Sequence, residues 1–289
     1  MYQLLTDSSV DLPFQLLVDN NVEFVSLHVN VNGQEYKDDL EHHFDLEHFY
    51  DQIDSGLMPN TAQINIGQFV AFFEPYVKAG TPILYLGFSS GLSGTFNSAQ
   101  QARNLLLNTY PDAKICLVDS LAASSGQGLM LLDAVDKRDA GMGIAELSDW
   151  LVRNRLHYQH WFTVDDLNYL YHGGRVSRTS AAFGTLLHIK PIMDMDAKGH
   201  LRVVKKARSR RRSLEALAAN TVATLVDRES PRILICTSRA VDAAHVIENE
   251  IKKTVPNARF TITKIGPTIA SHTGLGCVAV FSFGSEKRV

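Results

Sequence analysis

Short apolar runs alternate with stretches of helical period along this chain, a pattern that predicts an α/β fold. Residues 2–6 read as a first strand, and Val25, Leu27, Val29 and Val31 alternate over a second that turns at Asn32-Gly33. Asp45 is placed to cap a helix with Leu46, Phe49, Tyr50 and Ile53 on one face. A second helix presents Ile66, Phe69, Val70, Phe73 and Val77 before Gly80. Strand 82–88, helix 95–108 and strand 114–118 follow, then helical stretches through Leu129, Leu132 and Val135 and through Ile144, Leu147 and Leu151. From about residue 159 the pattern restarts with strand 160–164, a short helix, the loop His172-Gly173-Gly174-Arg175 and a helix to His188. Hairpin strands 190–195 and 201–204 flank Ala197-Lys198-Gly199. Helix 213–226, strand 232–237, helix 241–254, strand 259–265 and strand 277–283 complete the chain. The restart divides it into two α/β domains, 1–155 and 156–289, with no low-complexity linker and no short repeat.

With 289 residues, 45% of them apolar, the chain is long enough to bury roughly 75% of its unfolded surface. A charged fraction of 20% and a net charge of −3 exclude a disordered or strongly basic protein. Its unbroken apolar runs, such as 83–88 and 277–281, are far shorter than the ~20 residues of a membrane span. The N-terminal MYQLLTDSSVDLP lacks a basic-then-apolar signal, so a cytoplasmic protein with no integral membrane segment is expected. Cys116, Cys236 and Cys277 each lie in a β-like apolar run without CxxC spacing, as reduced core residues do.

The charge is unevenly placed. Six of the eight positions from Lys205 to Arg212 (KKARSRRR) are basic, which leaves 22 basic against 31 acidic residues elsewhere. If a helix begins near Ser209, residues 210–212 put three arginines in its first turn, where the macrodipole disfavours cations. An anionic partner would offset that cost, so an anion-binding or nucleic-acid-binding module is one reading of the segment. The acidic remainder and the lack of an aromatic-basic stripe weigh against nucleic acid. His42, His43 and His48 beside Asp45 and Glu47 are metal-ligand types, but their helix already buries Phe49 and Ile53. A solvated polar face, with no metal, is the expectation.

Polar signals collect at strand ends: Asp7-Ser8-Ser9, Asn60-Thr61-Ala62-Gln63 before a helix, Ser89 to Thr95 (SSGLSGT) opening another, and His272 in a Gly-rich loop before the last strand. Ligands of open α/β sheets collect outside the carboxyl ends of strands, and small residues at a helix start let backbone N–H groups approach an anion. The Ser/Gly loop is therefore a carboxylate or oxyanion cradle, or simply a capped helix start. A serine esterase using Ser93 and His272 is a rival, but Gly91-Leu92-Ser93-Gly94-Thr95 does not fit G-x-S-x-G. No P-loop lysine motif is present.

TDSSVDLP, PNTAQ, FSSGLSGTFNSAQ, LNYLYHGGRVSR followed by LLHIKPI, KKARSRRRSLEAL and IASHTGLG together resemble the DegV family, the fatty-acid-binding subunits of a two-component bacterial fatty acid kinase. The motifs run in family order from about residue 4 to about 280. The resemblance implies two α/β domains enclosing one long-chain fatty acid in a cleft or tunnel. It places the carboxylate-binding threonine, serine and histidine at Thr61, Ser93 and His272; physically, the N–H groups of the Ser93-Gly94 turn can join the two hydroxyls in satisfying a desolvated carboxylate. It further implies a non-catalytic carrier, a monomer when free, that holds no cofactor. A separate kinase subunit related to dihydroxyacetone kinases would phosphorylate the presented acid, with Arg175 and Arg208 toward the phosphate or the kinase surface. Ala62 departs from the serine usual in the family. Phe24, Phe69, Phe73, Phe96 and Ile269 offer apolar surface for a tunnel or for ordinary core.

Overall fold

A computed structural model describes residues 2–177 and 189–289. β1 (Gln3–Asp7), β2 (Val22–Val25), β6 (Ile83–Gly87) and β7 (Ile115–Asp119) form a parallel sheet in the order β2-β1-β6-β7. β3 (His28–Val31) pairs antiparallel with β4 (Gln34–Lys37) and with β5 (Asn60–Ala62). A six-stranded mixed sheet comprises β8 (Tyr158–Thr163), β9 (Lys190–Met195), β10 (Leu201–Ala207), β11 (Arg232–Thr237), β12 (Arg259–Lys264) and β13 (Val278–Phe283). Its order is β10-β9-β8-β13-β11-β12. The fold is α/β. The described helices are α1 (Phe14–Asp19), α2 (Leu46–Asp54), α3 (Ile66–Lys78), α4 (Thr95–Thr109), α5 (Ser125–Asp139), α6 (Ile144–Asn154), α7 (Asn168–His172), α8 (Arg210–Thr224), α9 (Val241–Lys252) and α10 (Pro267–Thr273). The expected helix ending at His188 lies outside the described residues.

Side-chain alternation sorts the layers. On β6, Ile83 and Tyr85 point to a core shared with Phe69 and Phe73 of α3 and Phe96 and Leu106 of α4, while Leu84 and Leu86 point to the opposite core. All five β6 residues are buried, as a central parallel strand covered on both faces requires. The six-stranded sheet divides likewise. Ile233, Ile235, Val278 and Val280 face Leu214, Leu217, Ile247 and Ile251 of α8 and α9. Leu234, Cys236, Ala279 and Phe281 face Leu129, Met130 and other residues of α5. Helix α5 is thus a shared layer, packed on β8, β11 and β13 as well as beside the parallel sheet's own core. Local chemistry fixes the helix starts: Asp45 Oδ1 accepts His48 N–H at 2.9 Å, and Asn65 and Gln68 form a reciprocal capping box.

Two expected elements differ. The alternating segment 25–31 is two strands in two sheets, because the chain bends between Val25 and His28, where the Ser8 hydroxyl accepts Leu27 N–H at 3.0 Å and Leu27 O accepts Asp38 N–H at 2.9 Å. The apolar alternation continues through the bend and hides it. The Gly-rich segment around His272 is a helix, α10, with Pro267 in its first turn and Gly274 at φ +68° ending it. Proline inside the start and glycine past the end are the helix signal that its small residues masked.

Candidate functional site

A cavity of about 460 Å³ opens where the loops after β2, β6 and β7 meet the inner face of the six-stranded sheet and α10. The carboxyl ends of the parallel strands therefore supply one wall, the position where open α/β sheets bind ligands. The opposite wall follows from strand register: Phe162 pairs with Ala279 and His160 with Phe281, so all four present to the same face and line the cavity. Phe88, Leu92, Met195 and Ile269 add apolar surface. The volume falls within the ~300–1,000 Å³ of small-molecule sites.

Thr61, Ser93, Gly94, Arg175 and His272 all line this cavity. Thr61 Oγ1, on the short strand β5, lies 2.8 Å from His272 Nε2. The Ser93 hydroxyl accepts Thr95 N–H at 3.2 Å and shares a hydrogen bond of 2.9 Å with Thr95 Oγ1, which fixes it at the start of α4 beside the exposed Gly94. The N–H groups of a first helical turn have no intrahelical acceptor, and α4 brings that partial positive charge to the cavity. Arg175 is tied down on the cavity wall: its guanidinium donates to Leu92 O, at 3.2 Å from Nε and 3.0 Å from Nη2, and to Gly173 O.

Burial, together with the nearby Arg175 charge, pushes the His272 imidazole down to about 3, so the ring is neutral at pH 7. Its one proton is shared with Thr61 through Nε2 or sits on Nδ1, which has no hydrogen-bond partner among the described residues. A Cβ built on Gly173 would lie 2.1 Å from Nδ1, so glycine is what lets the backbone close over the ring. Arg175, held somewhat below its usual range by burial, is then the cation of the cavity wall among the described residues. Two hydroxyls, a helix N-terminus and a guanidinium can satisfy a desolvated carboxylate, while the apolar walls take an alkyl chain. His272 bonds Thr61 and Ser93 bonds Thr95, so the serine–imidazole pair of an esterase is not formed.

The model of the DegV family, described as an uncharacterised protein family, matches residues 1–284. The chain belongs to the DegV family. It is 40% identical over 287 residues to a DegV domain-containing protein of Clostridium perfringens, covering 99% of both chains. Among solved structures, a DegV protein of Thermus thermophilus described as fatty acid binding superposes with a TM-score of 0.88 at 28% identity, covering 98% of this chain and 99% of that one. A fatty acid binding DegV protein of Streptococcus agalactiae gives 0.87 at 26% identity, with 99% of each covered.

In this DegV chain Arg208 stands apart from the cavity, exposed between β10 and α8. Ser209 caps α8 by accepting Arg212 N–H at 3.3 Å. The first-turn arginines do not all project freely: Arg211 pairs with Glu215 at 2.8 Å, and Arg210 donates to Gly276 O at 2.5 Å. Of the aromatic and aliphatic residues expected to offer tunnel surface, Ile269 lines the cavity. Phe69, Phe73 and Phe96 belong to the α3–α4 core, and Phe24 packs on the opposite core. The lining aromatics are Phe88, Phe162 and Phe281, which read as plain strand residues because only the packing of the two sheets reveals the face they share. Ala62 also lines the cavity. His42 stacks on Phe14 at 4.0 Å between ring centroids. No described helix is long and apolar enough to cross a membrane.

Proposed function

We propose that this chain binds one long-chain fatty acid and presents its carboxylate to a separate ATP-dependent kinase subunit, of the dihydroxyacetone-kinase-related type, for conversion to an acyl phosphate. The observation that carries the reading is a cavity with largely apolar walls in which Thr61 meets His272. The carboxylate is held by the Thr61 and Ser93 hydroxyls, the Gly94 N–H and the neutral His272, under the field of Arg175. A C16 to C18 tail offers on the order of 12 kcal/mol of gross burial at ~0.8 kcal/mol per CH₂, enough to hold the acid without a covalent bond. The protein is a carrier, cytoplasmic and monomeric when free, without a cofactor. Residues 1–155 and 156–289 are the two domains that enclose the acid. Arg175, on the cavity wall, and Arg208, exposed beside the α8 start, are contacts for the phosphate or the kinase surface, and an anion at Arg208 also relieves the cationic first turn.

Lipid extraction of denatured protein, followed by mass spectrometry, tests the reading. One equivalent of fatty acid is expected, either co-purified or after incubation with oleate or palmitate, and its absence under both conditions overturns it. With the kinase subunit added, Arg208→Ala is expected to retain the acid while acyl phosphate formation falls about tenfold, the order of one lost charge-assisted contact.

A further inference from the structure

Helix α10 delivers His272 to the cavity, yet it leads into β13 of the six-stranded sheet while packing against β3, β5, α2 and α7. Two buried carboxylates meet its start. Asp11 Oδ1 accepts Gly266 N–H at 2.9 Å, and its Oδ2 accepts the Ser124 hydroxyl. Asp38 Oδ2 accepts the Thr268 hydroxyl at 2.5 Å, and its Oδ1 accepts Leu40 N–H at 3.4 Å. The Tyr50 hydroxyl donates to Ile265 O just before the helix. A Cβ on Gly266 would lie 2.7 Å from Asp11 Oδ1 and 3.6 Å from Asp38 Oδ2, so both carboxylates converge on this one glycine.

Ordinary core packing does not account for the pair. Asp11 and Asp38 repel each other, and neither has an ion-pair partner among the described residues; Lys264 pairs instead with Glu41 at 2.9 Å and Glu47 at 3.2 Å. The backbone that brings them in is strained, with Asp11 at φ +46°, Leu40 at +59° and Glu41 at +63°. What the pair does supply is an anchor for a helix of seven residues that has no side-chain cap from its own N-cap residue. His272 lies about 9 Å along that helix from Gly266 at 1.5 Å per residue, so a tilt at the start reaches the imidazole. We propose that Asp11 and Asp38 are positioning residues for the ligand site, clamping the start of α10 so that His272 meets Thr61. The proposal rests on the reading of the Thr61–His272 pair as the head-group site.

The test uses the full chain, delipidated and labelled with ¹⁵N-histidine. In Asp38→Asn the His272 ring resonances are expected to shift away from their wild-type positions as the Thr61 bond is lost, and oleate affinity to fall about tenfold. Thr268→Val is expected to shift the same resonances, and Thr268→Ser to restore them, which keeps the test open should Asp38→Asn not fold. Unchanged His272 resonances in a folded Asp38→Asn or in Thr268→Val overturn the clamp, whatever the melting temperature does. If the resonances shift as expected while the wild-type protein takes up no oleate, the clamp stands and the fatty acid reading fails.

Discussion

Thr61 and His272 are 211 residues apart in the chain and 2.8 Å apart in space, with the imidazole neutral. A neutral ring cannot form an ion pair with a carboxylate, so its contribution is to orient the threonine hydroxyl or to donate one hydrogen bond. Hydrogen bonds to a charged group contribute about 1.5–3 kcal/mol, so Thr61→Val and His272→Gln should each weaken oleate binding roughly 10- to 150-fold. Because the two side chains act through one bond, the double variant should lose clearly less than the product of the singles in calorimetric titrations. Multiplicative losses would show two independent contacts. The same neutrality makes a pH prediction. With His272 at about 3, its charge does not change between pH 6 and 8.5, and oleate affinity should show no step at the usual histidine value. A tightening as pH falls through 6.5 would mean that the ring charges when the ligand binds.

Helix α10 shows how an element can hold the site and still escape a periodicity reading. Its residues PTIASHT are small and polar, with Ile269 as the lone bulky aliphatic side chain, so no apolar stripe marks it; its boundaries are written instead in Pro267 and Gly274. Gly274 sits at φ +68°, ψ −170°, a region reserved for glycine, and a Cβ there would lie 2.6 Å from the Tyr169 ring. Gly274→Ala should therefore lower unfolding free energy by about 1–3 kcal/mol in urea titrations, and an unchanged midpoint would show that the turn adapts. Strands and helices with strong apolar periods, β6, β7, α3 and α4 among them, were legible to within a residue or two, as was the cap at Asp45, whereas the helix expected over 213–226 starts three residues earlier, at Arg210. The split of 25–31 was not legible, since apolar alternation persists across the bend. Thr61, Ser93 and His272, which line one cavity, were singled out by motif resemblance, whereas Phe88, Phe162 and Phe281 required the packing of two sheets.

At the scale of the whole molecule, one apolar cluster joins Leu4 and Leu84 of the parallel sheet to Leu234 and Phe281 of the six-stranded sheet across α5. Arg288 adds a second tie, donating to Leu121 O at 2.7 Å and Arg155 O at 3.2 Å. Buried titratable groups sit along this shared interior with opposite preferences for the proton. Burial raises Asp38 from 3.8 to about 6, so the folded state binds more protons than the unfolded one: this group's stabilising contribution is full below pH 4 and is lost as pH rises through 6. Burial lowers His272 from 6.5 to about 3, so the folded state binds fewer protons, and its contribution is full above pH 6.5 and is lost as pH falls toward 3. Relative to Asp38→Asn, wild-type stability should therefore rise by about 2 kcal/mol on going from pH 6.5 to 4, at up to ~1.4 kcal/mol per pH unit, since the group is still partly protonated at pH 6.5 and the unfolded carboxyl is already partly protonated at pH 4. Relative to His272→Gln it should fall over the same range, at up to about 1.4 kcal/mol per pH unit. Urea unfolding of the three proteins at half-unit steps of pH measures both differences. Slopes of opposite sign are expected, and two flat differences would show that neither group is shielded from solvent in the folded chain.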